Sequence, residues 1–154
     1  MKIRYGLIIM CVVLVTSVSA RPFKFKSMDG ETLTDDRTGL VWLKDAGISP
    51  KMKWKDAFKF CDELEAAGYD DWRLPTKAEM MTIVDDYNEF DNWIPLLTRE
   101  GFKNFQKEYW TATPVADNPK RAWGVSIQGG LFDKYTKDVE GRMLWVLPVR
   151  AGRK

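Results

Sequence analysis

Apolar and polar positions alternate at the start of the chain, turn helical in the middle and alternate again towards the end. "FKFK" (residues 23–26) alternates apolar and charged, "TLT" resumes after the turn "MDGE", and "LVWL" follows the turn "DDRTG" as an apolar run suited to a strand buried on both faces. From Trp54 the period lengthens. Trp54, Ala57, Phe58, Cys61 and Leu64 fall on one helical stripe, while Lys55, Asp56, Lys59, Asp62, Glu63 and Glu65 mostly avoid it. This helix is expected to stop at Gly68, the residue type that most readily takes the left-handed conformation closing a helix.

The next stretch, "GYDDWRLPTKAEM" (residues 68–80), carries its own stop and start signals. Thr76 with Glu79 three residues on forms a capping box for a second helix bearing Met80, Met81, Ile83 and Val84. Pro75 forces Leu74 to be extended, so the chain crosses between the helices through a rigid, non-helical joint. Trp72 and Leu74 are expected to point inward and Arg73 to pair with a carboxylate. Asp70 and Asp71 also invite reading as an acid/base pair, but adjacent residues of an extended segment point to opposite sides.

"DNWIPLL" and "REGFKNFQ" read as loops. The last third returns to strands in "EYWTAT", "RAWGVSI", "LFDKYTK" and "RMLWVLPVR", with glycines in the connections "QGG" and "DVEG". The pattern thus predicts an α+β domain in which two helices pack on short antiparallel sheets, closed by a C-terminal β-meander of about four strands.

Composition narrows what such a domain does. Lys2 and Arg4 precede an apolar run from Leu7 to Val15, and Val18-Ser19-Ala20 supplies small residues, so residues 1–20 read as a signal peptide. Residues 21–154 then form a single exported domain, periplasmic or extracellular, with no membrane span after cleavage. Loss of Lys2 and Arg4 reduces Lys and Arg from 24 to 22, against 22 Asp and Glu, so net charge gives no reason to expect a nucleic-acid partner. Cys61 is the one cysteine left after cleavage of the segment holding Cys11, which excludes an intrachain disulfide. There is no histidine, which removes Ser-His and Cys-His nucleophile pairs and the usual zinc sites. No cofactor and no catalytic residue is expected.

"MDGETLTDDRTGLVWLKDAG", the helix-joint-helix stretch "WKDAFKFCDELEAAGYDDWRLPTKAEMMTIVDD", "EYWTAT", "AWGVSIQGGLFDKYTK" and "VLPVR" resemble, in order and spacing, the C-terminal domain family of the Legionella collagen-like adhesin. The most specific pieces are Asp36 to Leu40 with Trp42, the Gly68-to-Thr76 joint, with Asp71, Trp72, Arg73, Leu74, Pro75 and Thr76, followed by Glu79, and Tyr109 with Trp110. The resemblance implies a C-type-lectin-like fold and recognition of a glycan or sulfated polysaccharide. "RLPT" with its following Glu is also similar to a segment of formylglycine-generating enzymes, which supplies the alternative of an enzyme or accessory of that type. The absence of the late cysteines that bind copper in those enzymes argues against their activity here. The resemblance further implies a partner for Cys61 in the last strand, but this chain has Val146-Leu147-Pro148-Val149 there, so Cys61 is expected to be a buried thiol.

Candidate ligand-binding residues are the cluster Lys51, Lys53 and Lys55, with Lys59 one turn on, and Lys120 with Arg121 beside Trp123. Either group could meet an anionic polymer, or simply be a solvated face. Asp85, Asp86, Asn88, Glu89, Asp91 and Asn92 gather oxygen ligands without the glycine of an EF-hand, and read as a hydrated acidic loop rather than a calcium site. Trp42, Trp54 and Trp145 lie on core-like patterns, leaving Trp93 as the tryptophan expected to be exposed for sugar stacking. A purely protein-interacting envelope component is the third possibility that the sequence leaves open.

Overall fold

A computed structural model describes residues 25–27, 29–84, 93–138 and 142–152. The expected signal peptide, residues 1–20, and residues 85–92, expected to form a hydrated acidic loop, lie outside the described residues. The chain folds as an α+β domain with two small antiparallel sheets. Strands β1 (Phe25–Lys26), β2 (Thr32–Asp35) and β3 (Leu40–Leu43) meander into one sheet, whose fourth member is the final strand, β7 (Val149–Ala151). Strands β4 (Glu108–Val115), β5 (Asn118–Ser126) and β6 (Leu131–Thr136) form the other. Helices α1 (Trp54–Asp62), α2 (Lys77–Val84) and α3 (Ile94–Arg99) come between.

"LVWL" is β3, and Val41, Trp42 and Leu43 are all buried, as a run apolar on both faces requires. The turn before it closes through Gly39, at φ 72°, whose N–H reaches the Asp35 carbonyl at 2.8 Å. In the second sheet Tyr109 and Trp110 project from opposite faces of β4. Tyr109 enters the main core with Trp42, Met80 and Val149, while Trp110 joins Ala57, Cys61 and Leu144 under α1. Each is anchored at its polar end. Tyr109 Oη donates to the Ala46 carbonyl (2.9 Å) and accepts from Gln106 N (2.6 Å), and Trp110 Nε1 donates to the Met52 carbonyl (2.8 Å). Gly124 lies opposite Trp110, and a methyl there would come within 2.8 Å of Leu144 and Tyr135, so a bare backbone is what lets these side chains close over the sheet.

Four expectations need correction. First, α1 ends at Asp62, not at Gly68. Ala66 and Tyr69 exchange two 3.0 Å backbone hydrogen bonds around Ala67 (φ 53°) and Gly68 (φ 76°), so the glycine serves a tight two-residue turn. Second, "IPLLTR" is a third helix that buries Leu97, with Pro95 in its first turn. Third, the meander has three strands. The fourth run, "RMLWVLPVR", instead stitches the molecule together: Leu144 pairs with Met52, Trp145 with β4, Val149 with Arg73, and β7 with β3. Its alternation sends Leu144 and Val146 under α1, and Leu147 and Val149 into the main core. Fourth, Trp93 is 3% exposed, at the entry of α3 in the main core.

Candidate binding surface

The joint between α1 and α2 is built as its sequence signals dictate. Thr76 Oγ1 accepts from Glu79 N (3.2 Å), while Glu79 Oε2 accepts from Thr76 N (2.8 Å), closing the capping box. The same carboxylate takes a two-pronged contact from Arg73, at 2.8 and 2.6 Å. Arg73 exchanges backbone hydrogen bonds with Val149, which ties the joint to the start of β7. Asp71 is held by Arg150 at 2.5 and 2.9 Å, and the Arg150 guanidinium stacks 3.9 Å from the Tyr69 ring centroid. Trp72, Leu74 and Pro75 are buried. Asp71 thus serves an ion pair and Asp70 faces solvent, so the two carboxylates do not converge on a common point.

This arrangement makes stability depend on pH. Burial opposes ionisation of Glu79, but the hydrogen bonds from Arg73 and from the Thr76 N–H outweigh it and hold the carboxyl below its ordinary 4.5. A carboxylate with a depressed folded-state pKa contributes stability above its unfolded value and loses it as pH falls through the folded value. Glu79→Gln should therefore lower the melting temperature at neutral pH. The gap from wild type should shrink as pH is taken down below the ordinary carboxylate range, and a gap independent of pH would refute the assignment.

The basic candidates come together in a way their spacing does not reveal. Trp54 N donates to the Lys137 carbonyl (3.4 Å), and Lys137 N donates to the Lys120 carbonyl (3.0 Å). This backbone ladder brings the start of α1, with Lys53 and Lys55, to the end of the second sheet that carries Lys120 and Arg121. Lys137, which no motif or spacing singles out, is the link: it is 8% exposed, its Nζ donates to the Pro119 carbonyl (2.9 Å) and lies 4.0 Å from the Trp54 ring centroid. Lys55 meets Asp138 at 3.8 Å between exposed side chains, an interaction of small energy. Lys53, Lys120 and Arg121 form no ion pair among the described residues. Lys51 instead packs on Trp145, 4.1 Å from its ring.

The surface continues onto the other face of β5. Arg121 and Trp123 are two residues apart on one strand, and Lys134 lies directly opposite Trp123. Lys77, at the start of α2, places its Nζ 3.5 Å from the Trp123 ring centroid, and Lys134 Nζ is 5.4 Å away. Trp54 and Trp145, expected in the core, and Trp123 are all half-buried, and each carries a lysine over its ring. In each case the ammonium itself lies over the ring face, so one residue type both shields the aromatic and supplies charge. The pairing is invisible in sequence because Lys137 and Trp54, or Lys77 and Trp123, are far apart along the chain.

Such a surface places positive charge beside half-buried aromatic rings. Cys61 is fully buried, and burial, with Asp62 adding to it, pushes its thiol up to about 12. No cluster of three His, Cys, Asp or Glu side chains among the described residues could hold a metal ion. No helix among them is long and apolar enough to cross a membrane.

The family model described as the Lcl C-terminal domain matches residues 31–150, which span every element from β2 to the start of β7. No curated protein gives a significant match.

Proposed function

Since the chain belongs to the Lcl C-terminal domain family, we propose that it is an exported, non-catalytic binding module of the bacterial envelope or exterior. It recognises an anionic glycan, such as a sulfated polysaccharide, on a C-type-lectin-like frame. The observation that carries this reading is the backbone ladder from Trp54 through Lys137 to Lys120, which joins two basic groups of a nearly neutral chain into one surface. The half-buried ring of Trp54 lies along it beneath Lys137, and that of Trp123 lies on the other face of β5. The amino-terminal targeting pattern supports export, and the deeply buried thiol with the absence of histidine speaks against the formylglycine-generating alternative.

The test is retention of the purified protein on a heparin column in a salt gradient. Contacts between exposed charges are screened as the Debye length falls from about 10 Å at 0.1 M to about 3 Å at 1 M. Lys53→Gln with Lys55→Gln, and Lys120→Gln with Arg121→Gln, should each elute at clearly lower salt than wild type. The combined variant should be nearly unretained. Lys26→Gln with Lys107→Gln removes the same number of charges elsewhere and should elute close to wild type. If all three double variants shift equally, retention reflects net charge and the proposed surface is wrong.

A further inference from the structure

Away from the basic residues, Val41, Leu43 and Trp72 form a buried satellite hydrophobic cluster, and Ile48, Ala66 and Ala67, themselves only half-buried, pack over it. A cleft of about 230 Å³ opens there, bounded by Ile48, Ala66 and Ala67 and rimmed by Glu31, Lys44, Asp45 and Lys103. The rim is fixed by backbone. Lys44 N donates to the Glu31 carbonyl (2.9 Å) and Lys103 N to the Lys44 carbonyl (2.9 Å), so three charged side chains leave neighbouring segments side by side. The wall is fixed as well, because Ala67 is held at φ 53°, a conformation alanine rarely adopts, by the paired hydrogen bonds between Ala66 and Tyr69.

These charges do not satisfy one another. Among the described residues Glu31, Lys44 and Lys103 form no ion pair. Asp45 Oδ1 accepts from Gly47 N (2.9 Å) and Asn104 Nδ2 (3.0 Å), while its Oδ2 accepts no hydrogen bond from the described residues. An ion of one sign entering the cleft is attracted by one pair of groups and opposed by the other. A molecule carrying both signs satisfies both. The volume is below the roughly 300–1,000 Å³ of sites for drug-sized ligands, which limits the occupant to about the size of an amino acid.

From these features we propose that the cleft binds a small zwitterion with an aliphatic body, the chemistry of a free apolar α-amino acid. Its carboxylate meets Lys44 and Lys103, its ammonium meets Glu31 and Asp45, and its side chain lies on Ile48 and the Ala66–Ala67 wall. The site shares no residue with the basic surface, so failure of the heparin test leaves it untouched.

The experiment is an amide NMR titration of the purified protein with leucine, with 4-methylpentanoate, which lacks the amine, and with isoamylamine, which lacks the carboxylate. Leucine should shift the resonances of Lys44, Ile48, Ala67 and Lys103, and each analogue should bind at least about tenfold more weakly, as expected for loss of a charged hydrogen-bond partner. Lys44→Gln with Lys103→Gln changes exposed or half-exposed side chains. It should weaken leucine by about tenfold and tighten isoamylamine, whose ammonium the two lysines oppose. Equal affinity for leucine and 4-methylpentanoate, or no shift at these residues up to the solubility of leucine, overturns the proposal.

Discussion

Trp72→Ala should lower the free energy of unfolding by about 3–5 kcal/mol, read as a fall in the urea midpoint. The side chain is 2% exposed and fills the space between Val41 and Leu43 of β3 and the turn from Ala66 to Tyr69. Its Nε1 donates to the Ala66 carbonyl at 3.0 Å, and the Tyr69 ring packs against it edge-on at 6.2 Å. Removing the ring opens a cavity and frees the turn that walls the cleft, so two losses reinforce each other. Trp72→Phe keeps an aromatic in place and should recover much of the difference. Polyanion binding by Trp72→Ala should weaken only as far as the protein unfolds. A stable variant with selective loss of binding would overturn the view of the joint as a folding device.

Val146→Cys should have the opposite sign. Cys61 and Val146 belong to the same fully buried cluster beneath α1, together with Leu144 and Trp110. Oxidation of the two thiols would close a long loop across the domain, a constraint on the unfolded chain worth about 4 kcal/mol in the chain-entropy model. The expected result is a midpoint that rises in oxidising buffer and falls, to wild type or slightly below it, with a reductant. The parent protein supplies a companion measurement. Its single described thiol, pushed up to about 12, should resist alkylation when native and react once unfolded. Rapid labelling of native Cys61 would contradict the packing under α1, and free thiols that persist in Val146→Cys under oxidising conditions would show that the two positions lack disulfide geometry.

Much of the fold's punctuation is legible in the sequence because its causes are local. Thr76 and Glu79 are three residues apart, and their reciprocal hydrogen bonds need nothing else to form. Pro75 restricts Leu74 through its own ring, and the inward turn of Trp72 and Leu74 follows from alternation in an extended link. The apolar run of β3 and the glycine turn between β5 and β6 are of the same kind. Where local signals compete, the reading slips. Gly68 suits a helix stop and a two-residue turn equally well, and the pairing of Ala66 with Tyr69 selects the turn. "IPLLTR" is too short for a helical period to show.

By itself, then, the sequence determined the α+β class, the capped joint, the buried thiol and the family. Tertiary structure alone decided where the last strand goes. An apolar run such as "RMLWVLPVR" fits any open sheet edge, and only the facing partners Met52, Arg73 and Trp42 assign it to both halves of the molecule. Tertiary structure likewise buried Trp93, laid lysines over Trp54, Trp123 and Trp145, and joined Lys53 and Lys55 to Lys120 through Lys137. Those contacts depend on register between segments distant in the chain. No periodicity of a single segment encodes such register, because one strand specifies which of its faces is apolar but not which strand will meet its edge.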